Sequence, residues 1–362
     1  MRDFFNKDLP IRFVFPIDGD CLNKFDKQAL VAAPEGHDVE ICGQKASYVD
    51  GLYRAPLTEC DVMTATDKTD GTECKIQVFR LKNAVGGYRL SSDDNIIFLQ
   101  DITKHKDEYT SIFDNSYLAV YKKAHDLYGA KVHLNLFYEF DDEARSRFSE
   151  PREYFNLSMM TDKFKDEFKA NSDWLKFSFH SKSEFPPMPY KFASAKTVRE
   201  DALKVHREIE RFAGKEVLSE CTTVHFGEAN YEVACELRKL GYKAMTGYFI
   251  SGEFPVAYYA PQELIEYVYN RDFWKDTESD ILFGRIDIVL NGKTHVKNLE
   301  TLEEITSSET RGGFVSIMIH EQYFYSDYIN YREDFETRVV DACRFLKEKG
   351  YEGRHICRAA DI

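Results

Sequence analysis

The chain has 362 residues, 43% of them hydrophobic and 30% charged, with 19 Gly and 10 Pro, a globular composition long enough for two domains rather than one core. Acidic residues number 62 against 48 basic ones, a net charge of −14 that excludes the basic footprint of a nucleic-acid or anionic-membrane binder and disfavours a strongly anionic substrate. Aromatics reach 14%, with 28 Phe and 22 Tyr, which suits either a large core or a surface on which sugars stack.

The first ten residues carry charges at Arg2, Asp3, Lys7 and Asp8, so the apolar stretch of a signal peptide does not fit there. No run approaches the roughly 18 apolar residues of a membrane span, and a cytoplasmic protein with no membrane partner is expected. Residues 1–84 then hold short segments rich in Val, Ile, Tyr and Thr. These are 11–15, 29–33, 38–42, 46–53, 61–66 and 74–81, separated by turn signals such as Asp18-Gly19, Asp50-Gly51 and Asp70-Gly71. Six short strands without a helix predict a small β-sandwich, immunoglobulin-like, with 11 basic against 14 acidic residues. It would serve packing, carbohydrate contact or homo-oligomer formation. Four of the eight cysteines fall here, and none of the eight forms a Cys-x-x-Cys pair, so free, mostly buried thiols are expected.

From residue 85 strands and helices alternate. Asn115 caps a helix that carries Leu118, Tyr121, Ala124 and Leu127 on one stripe and stops at Gly129. Thr197-Val-Arg-Glu200 fits a capping box before a helix that runs to Gly214, and further helices close at Gly241 and Gly350. Between them lie seven strand candidates: 88–93, 132–138, 175–180, 220–226, 242–249, 285–290 and 314–320. The fold class is therefore α/β, with an irregular seven-stranded (β/α) barrel over residues 85–362 following the sandwich of residues 1–84.

In such a barrel the chemistry lies at the C-terminal ends of the strands. The first strand ends in Ser91-Ser92-Asp93-Asp94-Asn95, the third in His180, the fourth in His225-Phe226-Gly227, and the last in His320-Glu321. Carboxylates and histidines at strand ends are what a divalent metal with an acid/base pair requires. In His180-Ser-Lys-Ser-Glu184 a four-residue interval brings both side chains to one side of a helical turn. Asp287 is a further candidate for orientation, and Glu321 to Tyr325, with Tyr323, forms either a stacking face for a sugar ring or a plug under the last helix.

The order Asp-Asp, His-x-x-x-Glu, a strand ending in Gly and a late strand ending in His resembles the polysaccharide deacetylase superfamily, carbohydrate esterase family 4, over residues 85–362. Ser91 to Asn95 is similar to the family's Thr-Phe-Asp-Asp-Gly, which implies Asp93 as general base and Asp94 as metal ligand. The His-x-x-x-His motif reads His180 to Glu184, implying His180 and Glu184 as ligands, and His320 fits the general acid. The third motif, Arg-x-Pro-Tyr/Phe-Gly, reads Thr223 to Gly227, without the arginine and with His225 for proline. The resemblance implies a divalent cofactor, zinc foremost, with manganese or cobalt suited to the oxygen-rich set. It also implies removal of acetyl groups from an N-acetylated carbohydrate, with the Phe226 N–H assisting the oxyanion and His225, Asp287, Glu321 and Tyr323 in orienting or substrate roles. The altered motifs keep two alternatives open: a carbohydrate-binding protein without turnover, or another amide or glycosidic hydrolysis at the same site.

Overall fold

The computed structural model describes residues 3–251, 256–308 and 310–359. The outer ends of both expected regions, residues 1–2 and 360–362, lie outside them. Besides a short parallel pair, Cys21–Leu22 with Phe79–Arg80, the first region contains eight strands in two antiparallel four-stranded sheets. They are β1 (Arg12–Phe15), β2 (Gln28–Ala32), β3 (Val39–Ile41), β4 (Gln44–Lys45), β5 (Ser47–Val49), β6 (Leu52–Pro56), β7 (Val62–Asp67) and β8 (Glu73–Gln77). The sheet orders are β1-β2-β6-β5 and β4-β3-β7-β8. Alternate residues such as Val31, Tyr53, Met63, Ala65 and Ile76 point into one shared core. The expected strand over 46–53 is instead a hairpin. Asp50 and Gly51 both have positive φ (52° and 82°), the backbone of a two-residue turn whose twist matches the strands it joins.

The second region has nine principal strands: β9 (Gly87–Asn95), β10 (Val132–Phe137), β11 (Leu175–Ser181), β12 (Cys221–Thr222), β13 (Ala244–Gly247), β14 (Phe273–Asp276), β15 (Ile281–Arg285), β16 (Ile288–Val289) and β17 (Phe314–His320). Helices α1 (Ile97–Lys104), α2 (Ser116–Tyr128), α3 (Ala195–Phe212), α4 (Tyr231–Lys239), α5 (Gln262–Tyr269), α6 (His295–Thr306) and α7 (Phe335–Glu348) alternate with them. Asn115 caps α2 and Gly129 ends it at φ 69°, as the sequence predicts. The cap of α3 is Ser194, one turn before the expected Thr197 box.

The strands divide into a parallel sheet ordered β11-β10-β9-β17-β16 and a second sheet ordered β12-β13-β15-β14, in which only β14 runs antiparallel. The expected barrel is thus corrected: among the described residues no sheet closes into a ring. Side chains take over the backbone groups at both seams. The Thr223 N–H goes to Asn135 and its carbonyl to His180, so β12 stops after two residues, and the chain just before it bridges to β11 at Phe177–Leu218. At the other seam the Asp287 carboxylate takes the Ser316 N–H, which separates the expected strand 285–290 into β15 and β16.

The first region is keyed to the second by a buried charge cluster. Arg271 after α5 pairs with Asp20 and Asp26, and the Trp274 indole N–H donates to the Asp18 carbonyl. No helix among the described residues is long and apolar enough to cross a membrane.

Candidate metal centre and acid–base pair

The inner face of the parallel sheet is polar, because strand alternation puts every second residue there. On β9 these are Arg89, Ser91 and Asp93; on β10, His133 and Asn135; on β11, Lys176, Ser178 and His180. The intervening Leu134, Phe177 and Phe179 are fully buried on the helix side. Register sets Asp93 level with His320 on the neighbouring strand β17.

A regular strand would aim Asp93 and Asp94 to opposite sides. At Asp94 φ is 62° and the β9–β10 register slips between Ser92 and Asn95, so both carboxylates reach the mouth. Asn95, where the resembling family has glycine, holds this bend: its amide donates to the Ser92 and Asn135 carbonyls and its oxygen accepts from Tyr117.

Three acceptor atoms then converge. The Asp94 Oδ1 lies 3.0 Å from His180 Nε2 and 3.4 Å from His225 Nδ1, and those two nitrogens are 3.1 Å apart. Each ring has its other nitrogen on a backbone carbonyl, His180 Nδ1 on Thr223 and His225 Nε2 on Glu184 at 2.9 Å. Those carbonyls fix the tautomers, leaving lone pairs on the two nitrogens that face Asp94. Ligands about 2.1 Å from one centre stand about 3.0 Å apart at right angles and about 3.4 Å apart at the tetrahedral angle. All three separations fall in that window, so the residues fit a small divalent cation. The carboxylates make the potential here negative, which favours a positive charge between the rings, a bound cation or a proton on His180. Burial opposes charge on His180, but Asp93 and Asp94 outweigh it and raise its pKa. Burial likewise opposes ionisation of Asp94, yet His180, His225 and His320 hold its carboxyl well below the usual range.

Of the expected ligands, Asp94 and His180 meet in this cluster, and its third donor is His225. The Glu184 carboxylate stands one step out: Gln322 Nε2 bridges its Oε2 (2.9 Å) to Asp94 Oδ2 (3.1 Å). Burial and the Asp94 charge raise Glu184 well above an ordinary carboxyl. His225 occupies the position of the family's proline, and its reach was hidden in the sequence because the loop carrying it folds back only through Glu184.

The cluster floors a cleft of about 230 Å3 lined by Asp93, His320, Phe226, Tyr248, Tyr323 and Tyr328, among others. Asp93 accepts from Asn135 Nδ2 at 2.5 Å, and His320 Nδ1 donates to Asn291 Oδ1 at 3.0 Å, which leaves Nε2 towards Asp94 Oδ2, 3.9 Å away. Phe226, at φ 64° and 38% exposed, stands at the mouth with its ring 4.6 Å from that of His225. The Tyr323–Tyr325 cluster splits. Tyr323 lines the cleft, whereas Phe324 and Tyr325 pack against Tyr117.

Two expected orienting groups lie elsewhere. Glu321 is fully buried and accepts the N–H groups of Ile96, Ile97 and Phe98, capping α1. Asp287 is held in the seam beside Ser316, and burial pushes it up to about 7.

The sequence reading passed over what lies behind Asp93. Arg89 Nη2 donates to His133 Nδ1 (3.0 Å), His133 Nε2 to Ser178 Oγ (2.9 Å), Ser178 Oγ to Asn135 Oδ1 (2.5 Å), and Asn135 Nδ2 to Asp93. Every link donates in the same direction, from a guanidinium to a carboxylate. Burial and the Arg89 charge lower His133 well below its usual value, which keeps its Nδ1 an acceptor. The strict alternation in Leu175 to His180 was the available signal.

No family model and no curated protein matches the chain. Among solved structures it is similar to a putative polysaccharide deacetylase from Mycobacterium smegmatis, with 10% identity, 77% of this chain and 90% of that one covered, and a TM-score of 0.44. It is also similar to a carbohydrate esterase family 4 pseudoenzyme from Bacillus anthracis (11%, 76% and 66%, 0.38) and to a novel carbohydrate deacetylase (8%, 99% and 72%, 0.40).

Proposed function

We propose that the cleft removes an acyl group from a carbohydrate, in the first instance acetyl from an N-acetylated sugar, with a divalent cation held by Asp94, His180 and His225. The observation that carries this reading is the convergence of three ligand-type atoms beside a second carboxylate, Asp93, and a histidine, His320. Two imidazoles and one carboxylate suit zinc, with manganese or cobalt as substitutes. The cation's contribution when bound is Lewis acidity, which acidifies water and polarises the acyl carbonyl.

The chain's own residues do the rest. Asp93, fixed through one oxygen by Asn135, takes the proton of the attacking water. His320, fixed through Nδ1 by Asn291, delivers a proton from Nε2 to the departing amine, which cannot leave as an anion. The Phe226 N–H assists the developing oxyanion, and Tyr323 and Phe226 offer faces to a sugar ring. In this reading the chain is a divergent polysaccharide deacetylase in which His225 replaces the donor that the family takes from the second histidine of His-x-x-x-His. Its two sheets are the opened halves of the irregular barrel over residues 85–362, and residues 1–84 form an immunoglobulin-like domain.

The test joins elemental analysis of the purified protein to acetate release from N- and O-acetylated glycans. One bound divalent ion and release that disappears in Asp93→Asn are expected. A protein that takes up no zinc, manganese or cobalt would instead be a carbohydrate-binding form of the fold.

A further inference from the structure

The polar column of the parallel sheet has a second end. At the N-terminal ends of β9, β10, β11 and β12 a pocket of about 100 Å3 opens between Arg89, His133, Lys176, Cys221, His355 and Arg358. It opens to solvent beside the exposed Glu220 and Arg358. Arg89 is only 1% exposed, and its Nε and Nη1 have no hydrogen-bond partner among the described residues; Nη2 alone is engaged, by His133 and Thr223. The His355 Nε2 is likewise buried and unpartnered. Glu220, the one carboxylate among the described residues that line the pocket, pairs with Lys243 at 2.8 Å.

A buried guanidinium with two unpartnered nitrogens, carrying three N–H bonds, is costly unless an acceptor completes it. The Nε–H points to the side of Nη2, which His133 and Thr223 occupy, so the Nη1 hydrogens are the ones an oxyanion oxygen can take. We propose that this pocket is a binding site for a small oxyanion, a phosphate or carboxylate group, seated on the free Nη1 of Arg89 and flanked by Lys176 and Arg358. The site lies at the opposite end of the strands from the metal cluster and does not depend on the deacetylase reading. Its occupant would neutralise the charge from which the Arg89–His133–Ser178–Asn135 chain starts.

Calorimetric titration of the full-length, metal-free protein with inorganic phosphate, and separately with acetate, tests the site and distinguishes the two sources of the oxyanion. Saturable one-to-one binding of at least one of them at millimolar concentration is expected. The double variant Lys176→Met/Arg358→Ala, altered only at the pocket's rim, should weaken it by about tenfold or more. Asp94→Asn should leave it unchanged. Arg89→Met should abolish binding, and the rim variant decides if that protein does not fold. Absence of binding by both anions, or binding lost in Asp94→Asn and retained in the rim variant, would overturn the proposal.

Discussion

The two ends of the same strands have opposite needs. At the C-terminal end Asp94, His180 and His225 converge on one point, and the arrangement suits a cation. At the N-terminal end the buried Nη1 of Arg89 has no acceptor among the described residues and lies beside Lys176 and Arg358, and the arrangement suits an anion. Between them runs a chain of hydrogen bonds that all donate toward the cation end. The first region has no such column. Its sheets turn apolar residues to each other, and it is fastened to the second by the Arg271 cluster. A parallel sheet whose inner face is polar can therefore be polarised along its strands, whereas a two-sheet core of apolar residues cannot.

The largest effects should come from dismantling the cation end. Asp94→Asn and His225→Ala are expected to lower metal affinity by more than about 100-fold, beyond the 10–100-fold typical of outer partners, read by metal titration. Glu184→Gln, which keeps the bridge to Gln322, should stay within about tenfold. Equal losses in Asp94→Asn and Glu184→Gln would make Glu184 a ligand after all.

Next comes the base. Asp93→Asn should reduce kcat by about 10²- to 10⁴-fold while the metal content is unchanged. A smaller loss follows from cutting the chain behind it. Ser178→Ala should lower kcat by about tenfold with KM unchanged, because it frees Asn135 to turn without touching the cleft. No change in kcat would mean that the column only packs.

The smallest effect concerns the anion end alone. Burial first, and then Lys176, Lys131, Arg358 and Arg89, hold His355 down to about 3. The unfolded chain binds this proton near pH 6.5 and the folded one only near 3, so stability is fully present above the unfolded value and is lost as pH falls through that window. His355→Phe should therefore show a shallower fall in Tm between pH 7 and pH 4 than the wild type. A steeper fall would place the neutral imidazole elsewhere.

Much of this was legible in the sequence because it depends on local chemistry. Asn115 and Gly129 bound α2 through a side-chain cap and a left-handed residue, and the alternating strands of β7 and β8 follow from period-two burial. The Asp93-Asp94 pair, His180 and His320 stand out because polar residues end apolar runs. Whether the strands close into a ring was beyond a local pattern, since it turns on the Thr223 N–H going to Asn135 and on the Asp287 carboxylate taking the Ser316 N–H, partners far along the chain.

The sequence by itself determined which strands carry charge and at which end, since alternation and strand direction are set residue by residue. Only the tertiary structure decided which histidine completes the cluster. Residues 180 and 184 are four apart and 180 and 225 are forty-five apart, yet ring orientation depends on carbonyls at Thr223 and Glu184 that folding alone brings beside them. The opening charge of −14 divides in the same way. Its sum argued against an anionic partner, whereas the fold gathers Arg89, Lys176 and Arg358 into one pocket where local charge has the opposite sign.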